Sequence, residues 1–485
     1  MQPNFTLKNA HVVDILGNII GRDQQIMTME KSCNLVSLLD INDFLDEKVV
    51  FFDPFCKAGE ILLACAFVSC WNKSKVIGIP IDLSSVKKEL YVDSRYFGLS
   101  PDERHYRLSL RTFLGNENSH IEKYNKIIRN GNYLSEVDGR LNKQEFIKEL
   151  HNMLDYISSS SKPKKIIAVG NPPYQENYGG QKTNTGANPI YHFLLEALID
   201  SNRIDQFIMV IPSRWFAGGR GNSLKNFAYK IRKSKKVRQI YDFQDSRSIF
   251  PAVDVKGGVC FIHWDANYFG DTLFHSHGQD DAEYIDISSG QIIIRDKLAR
   301  SIINKVTKKT SIYISDRAWS WNPFNLASNY FEKNANDQEK DAIECFTKRK
   351  VIKKINRAKI SKNIDKIDSY KVVVPKAVSK GGIPYRPDQI FILGKGQICT
   401  ETFMVIDSFY SWHDAEELRN YLNSDLVRFL VSVKKITQDI TKDTWCLVPD
   451  ITIVRGLGKE ELYNFFHLNE EEVNYIRQKV HLWKR

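Results

Sequence analysis

The chain has 485 residues, 42% of them hydrophobic and 26% charged, a length and balance that fit a globular protein of two or more domains and exclude a disordered one. Lys and Arg outnumber Asp and Glu by 69 to 58, giving a formal charge of +11 and a pI near 9.0, which favours a polyanionic partner. No apolar run approaches the roughly 18 residues of a membrane helix, so no membrane partner is expected, and Met1 to Asn4 lack the regions of a secretory signal. The eight cysteines show no paired CxxC spacing, so free thiols in a reducing cytoplasm fit better than disulfides or a zinc site.

Val49 to Phe52 read as a buried strand, stopped by Asp53-Pro54, with Gly59 in the following turn. Ile61, Leu62, Cys65, Ala66 and Val68 then recur at helical spacing. "KVVFFDPFCKAGEILLACAF" is thus a strand, a glycine-bearing turn and a helix whose first N–H groups face the turn. It lacks the full GxGxxG dinucleotide pattern. A further strand is expected from Lys75 to Ile81, ending at Asp82. That carboxylate is able to accept from a ribose, although an acid at such a place is more often a helix cap. Residues 90–160 read as polar and irregular, ending in the amphipathic "QEFIKELHNMLDYI" and a Ser-rich link.

The next strand, Ile166 to Val169, runs through Gly170 into Asn171-Pro172-Pro173-Tyr174. Neither proline donates to a sheet ladder, and each restricts the residue before it, so the strand ends in a stiff, extended elbow. In open α/β sheets ligands bind at this end of the strands. "NPIYHFLLEALID" reads as a helix, "QFIMVIP" as a buried strand and "SRWFAGGRG" as a glycine-rich basic loop. "VRQIYDF" and "GGVCFIHW" are strands separated by a turn-rich stretch. Strands alternating with helices indicate a mostly parallel, doubly wound α/β sheet.

The elbow's residue types suit one chemistry. An exocyclic amino group on a base is a poor nucleophile, because its lone pair is delocalised into the ring. Two acceptors, the Asn171 side-chain oxygen and a main-chain carbonyl beside Pro172, could bind its hydrogens and draw the nitrogen towards tetrahedral geometry, against the alternative of an ordinary Pro-rich strand exit. The Tyr174 ring offers a face to a base that has left the duplex.

Asn171-Pro172-Pro173-Tyr174 resembles the catalytic tetrapeptide of the adenine-N6 DNA methyltransferases. "DPFCKAG" resembles their S-adenosylmethionine loop, in the gamma order in which it precedes the tetrapeptide. "MVIPSRWFAGGRG", "SIFPAVDVKGGVCFIHWD", "TETFMVIDSF" and "ITQDITKDTWCLVPD" are similar to segments of a restriction–modification methylase family with a C-terminal recognition domain. The resemblance implies an S-adenosylmethionine-dependent, Rossmann-like methyltransferase domain over residues 1–270 and an α+β target-recognition domain over 271–485. It implies cofactor contacts from Asp53, Pro54, Phe55, Lys57, Gly59 and Asp82, with Lys57 standing where many such enzymes have glycine. It further implies double-stranded DNA and a separate restriction endonuclease subunit as partners, in a bacterial cytoplasm.

The alternation of strands and helices fades after about residue 270. Between Thr347 and Arg386 there are thirteen Lys and Arg against two Asp, with Tyr370 and Tyr385 interleaved. Lys376, Lys380 and Arg386 suit phosphates or guanine edges, against the alternative of a solvated basic face. Residues 415–435 read as helix, and the resemblance puts Thr437 and Gln438, in the loop that follows, near DNA. About 50 residues precede the cofactor loop, leaving no room for an ordinary nuclease domain, so a stand-alone modification enzyme is expected. RNA or protein-glutamine methylation and an inactive DNA-recognition subunit are the alternatives.

Overall fold

A strand that is apolar on both faces has to be covered on both, and the first part of the molecule is assembled from such strands. Val49–Asp53 (β1), Tyr96–Ser100 (β2), Gln206–Pro212 (β5) and Val259–Asp265 (β7) are buried throughout, and Lys165–Gly170 (β4) is buried after its first residue. Ile128–Asn130 (β3), Val237–Phe243 (β6), Thr272–Ser276 (β8) and Ala282–Ile285 (β9) complete a sheet in the order β3-β2-β1-β4-β5-β7-β6-β8-β9. β7 runs antiparallel to both its neighbours and β9 antiparallel to β8, and the other pairings are parallel. The chain is thus a mostly parallel α/β sheet, as expected. This computed structural model describes residues 26–481, apart from 79–80, 93–94, 115–126, 136–139, 177–187, 219–221, 252, 277–281, 290–291, 334–341, 379–381, 383 and 436–437. The chain divides into two compact units between Ile293 and Ile294, so β8 and β9, which lie beyond residue 270, extend the first unit's sheet.

Several expected elements are otherwise. Among the described residues of 75–81 the expected strand does not form: the helix after Gly59 runs from Glu60 to Ile77, and Gly78, at φ 70°, ends it in the left-handed conformation. The β-branched Val76 and Ile77 are its last turn. The strand after this helical region is β2, within the stretch read as irregular. Its fixing point is Arg95, 1% exposed, whose Nε donates to the Val49 carbonyl at 3.0 Å and whose Nη1 donates to Glu89 at 2.9 Å. Glu89 also accepts from Ser69, Lys73 and Tyr96. Burial opposes its ionisation, but those donors hold its carboxyl below the usual range. Part of "SRWFAGGRG" is a 3₁₀ turn, Ser213–Ala217, with Trp215 fully buried.

The second unit is α+β. Ala342–Phe346 (β10), Ile352–Asn356 (β11) and Gln397–Cys399 (β14) form one sheet in the order β11-β10-β14. Tyr370–Pro375 (β12), Phe391–Leu393 (β13) and Phe403–Phe409 (β15) form another, β13-β12-β15. Cys345, Ile355, Val373, Leu393, Ile398 and Val405 share one apolar core. The helix expected over 415–435 is two, Trp412–Leu422 and Asp425–Lys434, because Ser424 leaves helical geometry to cap the second through Val427 N–H. No helix among the described residues is long and apolar enough to cross a membrane.

Candidate functional site

β1 and β4 are adjacent and parallel, with Phe52 opposite Ala168. On one side of β1 the chain continues to β2 and β3, and on the other to β4 and β5, so the strand order reverses between β1 and β4. The carboxyl edge at such a switch point is where a doubly wound sheet opens a crevice. Both singled-out motifs leave the sheet at this edge. Asp53 is 1% exposed and its Oδ1 accepts from Phe55 N–H at 2.9 Å. The Pro54 carbonyl accepts from the buried Tyr133 hydroxyl at 2.7 Å, and Phe55 stacks on Phe146. Gly59 sits at φ 77°, and a Cβ there would stand 2.5 Å from the Phe113 ring. The turn is therefore closed to any side chain at that position.

Two acids are buried together in this loop. Burial, then the neighbouring Glu60, pushes the Asp53 carboxyl well above its ordinary range. Burial raises Glu60 too, against hydrogen bonds that include Ala58 N–H at 3.2 Å. Lys57 is also buried, and its charge lowers both carboxyls. Where a glycine would only let backbone approach, this lysine offsets part of a paired negative charge.

The elbow begins one strand away. A Cβ on Gly170 would lie 2.9 Å from Asp53 Oδ1, 3.2 Å from Phe55 and 3.3 Å from the Met209 sulfur, so the two exits touch through a glycine. Asn171 is 1% exposed, Pro172 is buried and Pro173 is half-buried. The Tyr174 carbonyl accepts from Ile190 N–H at 3.1 Å, which ties the elbow to the helix Tyr191–Asp200. The Tyr174 ring, 6% exposed, meets Phe250 edge-on at 6.3 Å, and its hydroxyl has no hydrogen-bond partner among the described residues.

Asp82 is not at a strand end. It is exposed, and its Oδ1 accepts from Ser85 N–H and Oγ at 2.6 and 2.7 Å, capping the helix Leu83–Val92. The acid that follows β2 is Asp102, 5% exposed, which accepts from His105 N–H at 2.8 Å and lies 2.7 Å from His105 Nδ1. The placement of β2 is the signal that separates Asp102 from Asp82. Phe250, within the quoted "SIFPAVDVKGG", was likewise not singled out from sequence.

In the second unit Lys376 is half-buried with its ammonium 4.8 Å from the Trp321 ring centre. A bridge between Ala377 and Asp439 brings its strand beside Gln438, which is exposed. Arg386 is exposed and turns its guanidinium onto Asp388 at 3.2 and 3.3 Å. Lys380 and Thr437 lie outside the described residues. Two members of the basic, aromatic stretch are structural. Tyr385 is buried, donating to the Leu422 carbonyl at 2.6 Å. The Lys371 ammonium is buried on the carbonyls of Lys366, Ile367 and Ser369, and burial lowers it to about 8.

Residues 94–250, which hold β2, the elbow and Phe250, match the family model described as Eco57I restriction-modification methylase. Over that segment the resemblance to restriction–modification methylases holds. A protein of Mycoplasma pneumoniae named an uncharacterized adenine-specific methylase is 30% identical over 154 residues, which are 29% of this chain and 36% of that protein. The match thus spans about a third of that relative's length. Among solved structures, the Type IIL restriction-modification enzyme MmeI in complex with DNA aligns with TM-score 0.42 and 11% identity, covering 98% of this chain and 74% of that one. The Type I restriction enzyme EcoKI M protein aligns with TM-score 0.33 and 15% identity over 58% and 55% of the two chains.

Proposed function

We propose that the chain is a DNA methyltransferase that uses S-adenosylmethionine to modify the N6 amino group of an adenine swung out of duplex DNA, at a defined sequence and within a restriction–modification or related defence system. The observation that carries this reading is the contact between two strand exits at one switch point, an acid-lined glycine turn and the Asn171–Tyr174 elbow, separated by Gly170.

The donor set fits a cationic cofactor. Two buried carboxyls, Asp53 and Glu60, are raised by burial, and a positive group brought beside them favours their ionised forms. When bound, S-adenosylmethionine supplies an electrophilic methyl group on a sulfonium centre. Asp53, Pro54, Phe55, Lys57 and Gly59 would hold it, with Asp102 in the place first expected of Asp82. Asn171 and the carbonyl beside Pro172 orient the amino group as two acceptors, and positioning within a water-poor site lowers the barrier. With the Tyr174 ring only 6% exposed, base capture includes opening its contact with Phe250. The second unit supports a nucleic acid over a protein glutamine. Residues 294–485 carry 34 Lys and Arg against 24 Asp and Glu, net +10, whereas 1–293 carry 35 against 34, net +1. The polyanion-binding charge resides in the proposed recognition unit, where Lys376, Arg386 and Gln438 are the proposed contacts.

Asn171→Ala and Tyr174→Phe test the reading together. Asn171→Ala should still bind cofactor and DNA while single-turnover methylation falls about 10²–10³-fold, the usual cost of one well-placed hydrogen bond in such a site. Tyr174→Phe should keep most of the rate. Methylation by Asn171→Ala at the wild-type rate would make the elbow a strand terminator and nothing more.

A further inference from the structure

The hairpin of β10 and β11 turns through Thr347–Val351, and this turn is built against local preference. Arg349 and Lys350 both sit at φ 61°, the left-handed region that hairpins normally give to Asn and Gly. Thr347 N–H donates to the Val351 carbonyl at 2.8 Å, and so does its hydroxyl. Lys350 holds the turn from the side: its ammonium donates to the Asp388 carbonyl at 3.0 Å and lies 4.4 Å from the Phe391 ring centre. That contact sets the turn beside the Arg386–Asp388 loop. Lys348 to Lys354 are seven consecutive exposed residues, among them Val351 at 49% and Ile352 at 48%. Lys348, Arg349, Lys353 and Lys354 make no ion pair among the described residues. Strained non-glycine backbone persists where function has a use for the side chain it presents.

We propose that this hairpin enters a groove of duplex DNA, with Arg349 reading base edges and Lys348, Lys353 and Lys354 on the flanking phosphates. A two-stranded ribbon fits the major groove, and a guanidinium matches the paired acceptors of guanine there. β11 is the edge of its sheet. Lysines also guard edge strands against pairing with other chains, but that role has no use for two left-handed basic residues or for exposed Val351 and Ile352. The inference rests on the reading of the chain as a DNA-modifying enzyme and names the element that selects the sequence.

Arg349→Gly is the decisive variant, because glycine suits φ 61° and the turn survives the change. The full chain and this variant would be incubated with a random-sequence duplex pool, the modified sites read by single-molecule sequencing, and affinity measured by fluorescence anisotropy against salt. The variant should melt no lower than wild type, bind a duplex carrying the wild-type site roughly tenfold or more weakly, and modify a relaxed set of sites. Lys353→Gln with Lys354→Gln should flatten the salt dependence by about 0.9 for each phosphate left without its lysine. Unchanged affinity and an unchanged site in Arg349→Gly would overturn the hairpin assignment while leaving the methyltransferase reading intact. Weaker binding with an unchanged site would overturn base reading. Should wild type modify no DNA, the methyltransferase reading falls, and binding of the random pool alone decides the hairpin: loss in Arg349→Gly supports it and equality overturns it.

Discussion

Gly170→Ala tests whether the two strand exits form one site. The added methyl would meet Asp53 Oδ1 at 2.9 Å, Phe55 at 3.2 Å and the Met209 sulfur at 3.3 Å. All three neighbours are buried, so relief has to come from moving one of them. Asp53 is the closest, and any displacement weakens its 2.9 Å bond from Phe55 N–H. Overpacking of a core costs about 1–3 kcal/mol, and a buried hydrogen bond left poorly made costs about 1–3 kcal/mol more. A combined loss of about 2–6 kcal/mol would lower the melting temperature of a unit this size by roughly 3–10 °C. Cofactor affinity should fall about tenfold, corresponding to about 1.4 kcal/mol of lost hydrogen bonding by the carboxylate. Calorimetric titration with S-adenosylmethionine measures the second effect, and hydrogen exchange at the Phe55 amide reports the displacement of Asp53. Wild-type affinity together with undiminished protection at Phe55 would refute the idea that the elbow and the acidic turn are mechanically joined.

Arg95→Ala should destabilise the first unit by about 3–5 kcal/mol in a denaturant titration, because Glu89 would lose its buried guanidinium partner and the carbonyls of Val49, Asp43 and Phe44 would lose their donor; a loss under about 1 kcal/mol would mean that Lys73, the other ion partner of Glu89, and the hydroxyl donors suffice. Burial raises both Asp53 and Glu60 in the free protein, so a cationic ligand that stabilises their charged forms must displace protons. Affinity for S-adenosylmethionine should therefore rise with pH until both are ionised, and calorimetry in buffers of different ionisation enthalpy should show net proton release. Binding without proton release would remove these acids from the cofactor's surroundings.

The strands carrying continuous apolar runs were legible: β1, β4, β5 and β7 follow directly from "VVFF", "IIAV", "QFIMVIP" and "VCFIHW". β2 was not, because Gly98 and Ser100 interrupt its run and Arg95 makes its approach look solvated. Only the structure shows that this guanidinium is buried and paired. Val76 and Ile77 have the composition of a strand yet finish a helix, since eighteen residues of mostly buried helix override local preference and Gly78 sets the stop. Without the position of β2, local pattern puts Asp82 at a strand end, whereas in the structure Asp82 caps a helix and Asp102 is the acid that follows a strand. The elbow was readable because proline and glycine act through the backbone itself. The contact between Gly170 and Asp53 joins residues more than a hundred positions apart, which no local pattern records. In the second unit a count of basic residues did not separate Lys371, sealed on three carbonyls, from Arg349, held exposed on a turn.

All eight cysteines are free and buried, and burial raises the thiols of Cys33 and Cys345 to about 12 and that of Cys446 to about 11. Thiolate is the reactive form toward maleimides and disulfide reagents, so the native molecule offers such reagents very little. A cysteine introduced at an exposed position, such as Arg349→Cys on the hairpin, would then take up a fluorophore or cross-linker selectively without any native cysteine being replaced. The protein comes with a chemically quiet background against which a single probe on its surface can be followed.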